Sequence, residues 1–387
     1  MRNSELIVVL LIFACEALCY CFTLTVNISN VLKRLDVNGN PMDIHDGNII
    51  QFETGGLYYF YGVGYGQCHS VLDFGCAGEF LIGDCGFRTN HTINLYTSPD
   101  LVRWTFVRDV LPWTGERPLG IYYRPKVINN RLTKLYVLWV NRVQRTGPFD
   151  VPDFRKASYV VATSKTPEGP FSVTRTEVQT LVYGNPGDFS LFVDETNSTE
   201  IPQAYIAYDA FDNLHRIQIE QLTPNYTESL GRAATTGSIT PVNNESPILF
   251  KRHNYYYLLF GECCCFCRSG SNSRVFVSSH PLGPWHDTQN DIDPVSEHFV
   301  NDTFHRRSIS GGQESFIIEA LKNDLTIEYI FVSDRWGTGA YKSDDKQYWQ
   351  PLVFNDTQIP PSIQVIHWVD EFMLNLAATN ASVTNSF

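Results

Sequence analysis

Positive charge is scarce in this 387-residue chain, where 29 Lys and Arg stand against 41 Asp and Glu for a formal net charge of -12. With no basic stripe to neutralise phosphates, a nucleic-acid partner is excluded. Methionine is scarcer still, at 3 residues, while 20 Tyr and 25 Phe are present. A Met-poor, aromatic-rich chain leans towards strands. No segment shows an amphipathic helical period over several turns, and internal linkers and low-complexity stretches are missing. Paired C-x-x-C knuckles with interleaved His are missing too, which speaks against a zinc site. A membrane-spanning run is lacking, because the apolar stretch Leu6 to Phe13 is too short to cross a bilayer and no second one follows.

That short run has another reading. Arg2 precedes it, and small residues follow at Ala14, Cys15, Ala17 and Cys19, the layout of a secretory signal. Residues 1–19 are therefore expected to be a cleaved signal and 20–387 a single exported domain, with a retained anchor as the alternative. After cleavage no membrane association is expected. Sequons at Asn27, Asn90, Asn197, Asn225, Asn244, Asn301, Asn355 and Asn380 agree with a secreted glycoprotein. In that compartment the clustered cysteines read as disulfides: Cys68, Cys76 and Cys85 in one segment, Cys263, Cys264, Cys265 and Cys267 in another.

What the chain does contain is a repeat. Five times an apolar strand, a short turn and a Tyr-bearing strand follow one another: His45 to Gly64, Tyr123 to Asn141, Gly187 to Ala210, Glu245 to Glu262, and Gly311 to Asp334. Most units then close with a strand ending in Ser or Thr, a polar turn, and Trp or Phe. Examples are Ile93 to Trp104, Val160 to Phe171, Val275 to Trp285 and Tyr341 to Trp349. Strand, turn, strand, repeated twice within a unit, makes a four-stranded antiparallel blade. The expected fold is thus all-β, a five-bladed propeller with units of roughly seventy residues. A β-sandwich would not call for five units of one internal order.

In a propeller the first strand of each blade lines the central channel, so the starts of these strands should face one another. They carry Asp46, Tyr123 with Arg124, Asp188, Glu245, and Gln313 with Glu314. Three acids brought to one funnel are what glycoside hydrolysis needs. One protonated carboxyl donates to the leaving oxygen, and a second, ionised group activates water on the opposite face. A third negative charge can hold the acid's pKa up. Glu245 suits the acid, Asp46 the base and Asp188 the modulating role. Each acid read alone could equally be a strand-end residue satisfying turn amides.

At these motifs the sequence resembles glycoside hydrolase family 43, and within it the galactan exo-β-1,3-galactosidase branch. The resemblance rests on Asp188-Phe-Ser-Leu-Phe-Val-Asp194, on Glu245-Ser-Pro247, on Arg124-Pro-Lys-Val127, and on Asp334-Arg-Trp336 with Trp349 to Leu352. It implies a five-bladed propeller that hydrolyses glycosides with inversion, β-1,3-galactan or an arabinogalactan-type polysaccharide as substrate, and Glu245 as acid. It also implies a water-positioning role for Gln313, which leaves the base open between Asp46 and Gln313, with the carboxylate the stronger proton acceptor. Where the branch places Glu before Arg-Pro-Lys, this chain has Tyr123, which puts the substrate in question. Tyr123, Arg124 and Glu314 are expected at the sugar, and Tyr65 and Trp336 as stacking platforms, with packing between blades as the alternative and for Trp336 an equal one. No cofactor is expected, though a structural cation in the channel, held by His45 or His305, is compatible with the pattern. Asn244 should carry no glycan, because it adjoins the acid. One disulfide is expected to link the segment Cys68 to Cys85 with the segment Cys263 to Cys267. The competing readings are a propeller that has lost catalysis and binds carbohydrate or protein, and another family 43 activity such as arabinofuranosidase or xylosidase.

Overall fold

The structure, a computed structural model, describes residues 23–69, 85–113, 115–146, 151–195, 201–234, 239–262, 266, 269–295 and 308–377. The expected signal at 1–19, His305, Cys76, and Cys263, Cys264, Cys265 and Cys267 lie outside them. Five antiparallel sheets touch their neighbours through their first strands, which close a ring around a central channel, the five-bladed propeller expected from the repeats. Blade one comprises His45–Gln51, Tyr58–Gly64, Thr92–Ser98 and Thr105–Asp109. Blade two comprises Ile121–Asn130, Leu135–Thr146, Val151–Ser164 and Ser172–Val178. Blade three follows with Pro186–Asp194, Gln203–Ala210, Gln218–Leu222 and Ser229–Ala233. Blade four has Asn244–Arg252, Tyr255–Glu262, Arg274–Ser278 and His286–Asp291.

Blade five has three strands among the described residues, Gln313–Leu321, Ile327–Arg335 and Lys346–Pro351, instead of the expected four. The chain beyond Trp349 meets Pro351, Pro360 and Pro361, which have no amide hydrogen to offer a ladder, and between Pro351 and Glu371 it forms, among the described residues, only the two-residue pair Phe354–Asn355 with Ser362–Ile363.

The second strand of each blade is covered on both faces, so its apolar residues run on without alternation. Tyr58, Phe60, Tyr61 and Val63 are all buried in blade one, and Leu138, Trp139 and Val140 in blade two. The outermost strands Thr105–Asp109 and Ser172–Val178 are mostly exposed, and their sequences are correspondingly polar.

One closing element has no place in the repeats. Thr23–Ser29 pairs antiparallel with Glu371–Ala377. Their Val26, Ile28, Leu374 and Leu376 pack with Ile44 and Phe60 of blade one and Phe316, Ile330 and Trp349 of blade five. The terminal strands thereby seal the seam between first and last blades. Each such side chain contributes about 1.5–3 kcal/mol when fully buried.

The expected link between the two cysteine segments can use neither Cys68 nor Cys85, and its other cysteines lie outside the described residues. Cys68 is joined to Cys85 within the first segment, their Cα atoms 5.5 Å apart. The two cysteine-rich segments nevertheless meet, for a side chain at Gly86 would collide with the Phe266 ring.

Candidate active site

A β-bulge at the start of every inner strand builds the site. The pairing register breaks between His45 and Asn48, Tyr123 and Lys126, Pro186 and Phe189, Glu245 and Ile248, and Glu314 and Phe316. The extra residues re-aim side chains towards the propeller axis, the common use of a bulge at a rim. Asp46, Arg124 and Ser246, inside three of these bulges, have φ of 59°, 52° and 56°. Left-handed backbone at a non-glycine residue costs on the order of 1–3 kcal/mol and marks places the surrounding structure has to hold. Register also separates the acids. Asp46 lies inside its bulge, as Ser246 does, whereas Glu245 is the last paired residue before one.

Arg124 ties the ring together. Its Nη2 donates to Asp188 Oδ2 of blade three at 2.8 Å and to the Ser246 hydroxyl of blade four. Its Nη1 donates to the Glu314 carbonyl of blade five at 3.2 Å and stands 3.7 Å from Asp46 Oδ1 of blade one. Burial opposes a charged guanidinium, but Asp188 and Asp46 outweigh it and hold Arg124 protonated. Beneath it, Lys126 donates to the carbonyls of Gly47 and Ser315. Burial, and then the Arg124 charge, push its ammonium down to about 7. These two side chains plug the channel. What remains above them is a blind cavity of about 290 Å³.

Asp46, Tyr123, Arg124, Asp188, Glu245 and Gln313 all line that cavity. Gln313 Nε2 donates to Glu245 Oε1 at 2.8 Å. Asp46 Oδ2 accepts a 2.5 Å hydrogen bond from the Tyr65 hydroxyl, and its backbone N–H donates to Asp334 Oδ2 at 3.0 Å. Burial raises the Asp46 carboxyl above its ordinary value, against the pull of Arg124. Asp188 accepts from both Arg124 and Ser246, the latter at 2.9 Å, so its charge is matched locally and acts first on Arg124. The Tyr123 hydroxyl is turned to the Gly86 carbonyl at 2.8 Å.

Three residues expected at the sugar stand behind the wall. Tyr65 is buried and supports Asp46. Trp336 is 1% exposed, its ring packed against His45, Tyr65 and Phe266, with the Lys342 ammonium 4.0 Å from its centre. Neither has a face left for a sugar. Glu314 is also 1% exposed; it is still paired with Ser333 just before its bulge, and its side chain lies towards Gly261 and Ser273. Burial pushes its carboxyl well above the ordinary value, more than the Ser273 hydroxyl can offset. Folded protein thus keeps a proton that the unfolded chain releases above pH 4.5, so wild-type stability falls as pH rises through that value. Glu314→Gln removes the loss. Melting temperatures of both proteins from about pH 5 to about pH 8 should shift in the variant's favour as pH rises. A gap widening against the variant with pH would mean that the carboxylate is ionised and paired.

His45 shares its Nδ1 with Asp334 Oδ1 at 3.2 Å. Among the described residues no group of three His, Cys, Asp or Glu side chains is disposed to hold a metal ion. Asn244 is buried, and its amide donates to the carbonyls of Pro241 at 2.7 Å and Val242 at 3.1 Å, which closes it to a glycan in the folded protein.

Sequence reasoning overlooked a second tier. Asp209 and Asp334 lie one residue from the ends of the Tyr-bearing strands of blades three and five, and Asn141 pairs with Tyr123 inside that of blade two, a polar signal that was there to be read. Asp334 reaches the inner strand of blade one, and Asn141 donates to the Pro186 carbonyl of blade three at 2.8 Å. Asp209 comes 2.6 Å from His215 Nδ1, and both line the cavity. Burial disfavours the imidazolium, but Asp209, with Glu245 and Asp188 beyond it, pushes His215 up to about 9. It is a cation at neutral pH. Also overlooked were the cavity's aromatic walls, Phe87, Phe154, Phe211 and Phe266.

The model of the family described as "Glycosyl hydrolases family 43" matches residues 78–357. No curated protein matches the chain. Among solved structures, a β-1,3-galactosidase of family 43 shares 22% identity at a TM-score of 0.65, with 93% of this chain and 66% of that one covered. An exo-β-1,3-galactanase from Phanerochaete chrysosporium, solved with galactose, shares 22% at a TM-score of 0.67, covering 92% and 70%. The chain thus spans about two thirds of their length. A second β-1,3-galactosidase, solved with galactodeoxynojirimycin, shares 23% at a TM-score of 0.66, covering 89% of this chain and 99% of that one. At such identities these likenesses speak for the fold.

Proposed function

The chain belongs to family 43 of the glycosyl hydrolases, glycosidases that hydrolyse O-glycosyl bonds, and from that premise we propose that it is a secreted, inverting exo-β-1,3-galactosidase acting on galactan of the arabinogalactan type. One observation carries the reading: Glu245 and Asp46, from blades four and one, line one blind cavity whose floor is Arg124. A pocket closed below admits a chain end and not a chain interior. Its volume is at the low end for ligand pockets, suited to a terminal sugar.

In this scheme Glu245 gives its proton to the glycosidic oxygen as the bond to the anomeric carbon breaks. Asp46 takes the proton of a water attacking that carbon from the other face, and the product hemiacetal has the inverted configuration. Gln313 fixes the Glu245 carboxyl through the 2.8 Å bond. Arg124 holds Asp46 and Asp188 in place and supplies the positive charge at the axis, so no step calls on a metal. His215 offers a charged donor to a sugar hydroxyl. The Cys68–Cys85 bridge fits an oxidising compartment, and exposed sequons at Asn27, Asn90 and Asn225 support export.

The test is a panel of β-1,3-galacto-, arabino- and xylo-oligosaccharides, with the first-formed anomer read by proton NMR. Galactose should leave the non-reducing end, initially as the α-anomer. Arabinose or xylose as product, or binding of galactan without turnover, would replace this reading.

A further inference from the structure

Above the carboxyl groups the cavity changes character. A run of rings in mutual contact forms one wall, from His215 to Phe211 at 4.6 Å between centroids, Phe211 to Phe154 at 5.1 Å, Phe154 to Phe87 at 6.2 Å, Phe87 to Phe266 at 6.0 Å and Phe266 to Tyr123 at 6.2 Å. All six line the cavity. Four different parts of the fold supply these rings, which marks a built feature. Blade two has strands of 12 and 14 residues, Leu135–Thr146 and Val151–Ser164, where the equivalent strands of blade one have 7 each. The hairpin continues past a register break between Val143 and Gln144 and so carries Phe154 above the ring. The turn Cys85–Phe87, which begins at the disulfide, adds Phe87, and the second cysteine-rich segment adds Phe266. Blade three adds Phe211 and His215 in the turn after its second strand.

Apart from His215, the described part of the wall is apolar where a sugar would want partners. Phe154, Phe211 and Phe266 are only partly buried, and the Tyr123 hydroxyl points at Gly86 instead of into the cavity. A sugar entering as the leaving group would bring several hydroxyls against phenyl rings, and each hydroxyl left without a partner is penalised. An alkyl or aryl group there would exchange water for ring carbon and gain for every methylene covered.

We propose that this aromatic wall is a leaving-group subsite for apolar aglycones, giving the protein a further activity on β-galactosides of alkyl or aryl alcohols. The proposal rests on the hydrolytic reading of Glu245 and Asp46, since the wall adjoins them. It is tested with methyl and octyl β-D-galactoside, whose leaving alcohols have similar acidity and differ in apolar length, alongside β-1,3-galactobiose. Octyl galactoside should exceed methyl galactoside in kcat/KM by at least about tenfold, the effect of burying two or more methylenes. In Phe154→Ser and Phe211→Ser that ratio should fall towards one. If galactobiose is cleaved while octyl and methyl galactosides differ by less than about twofold, a fraction of one buried methylene, the aglycone proposal is overturned and the hydrolytic reading stands. A ratio that persists in both wall variants also overturns it. If none of the three is cleaved, both readings fail together. Should the wall variants not fold, calorimetric binding of the two alkyl galactosides to Glu245→Gln decides: equal affinities overturn the proposal and tighter octyl binding supports it.

Discussion

Glu245→Gln should lower kcat on β-1,3-galactobiose by about 10²- to 10⁴-fold, the range a general acid contributes. The substitution keeps the shape of the side chain and a partner for Gln313, whose Nε2 stands 2.8 Å from the Glu245 carboxyl. What disappears is the proton needed by the leaving oxygen. A galactoside of a strongly acidic phenol expels its leaving group without protonation, so its rate should fall far less. That contrast separates loss of an acid from loss of the fold. Equal losses on both substrates would point to a damaged site, and no loss on either would remove Glu245 from the chemistry.

Asp46→Asn is expected to cost about as much, roughly 10²- to 10⁴-fold, because the attacking water then has no carboxylate to take its proton. Small anions such as azide need no such acceptor and should restore turnover to the variant, with azide incorporated at the anomeric carbon. The Tyr65 hydroxyl can still donate to the amide oxygen, and Arg124 keeps Asp188, so the cavity floor is preserved. The pH profile gives a second readout. A base must be ionised to act, and burial raises the Asp46 carboxyl, so the acid limb of kcat/KM in the wild type should lie above the ordinary carboxylate range. In Asp46→Asn that limb should vanish. A loss of less than about tenfold, below what a general base contributes, would hand the water to Gln313 as the resemblance implied.

Much of this architecture is legible in the chain because it is written locally. A strand buried on both faces needs an unbroken apolar run, an outer strand tolerates Thr and Arg, and the turns between them need Gly, Pro and Asp. The motif around Glu245 is equally local, since a bulge begins within it. The terminal strands were harder. Thr23–Ser29 finds its partner in Glu371–Ala377, across the whole length of the chain, and no spacing announces such a pairing. Trp336 and Tyr65 misled for a related reason. An aromatic at a strand end fits a platform or a wall equally well until the neighbouring blade is placed, and here Lys342 and Phe266 cover Trp336.

Order of strands, number of blades and the identity of the channel-facing segments follow from residues close in the chain, because hydrophobic periodicity and turn chemistry act over a few positions. Which carboxyl is ionised, which is paired and which is sealed away follows from residues far apart. Arg124 alone answers to four other blades, and the charge state of each acid depends on what those blades bring within a few ångströms. Electrostatics and burial are set by distance in space, and that becomes known only once the ring has closed.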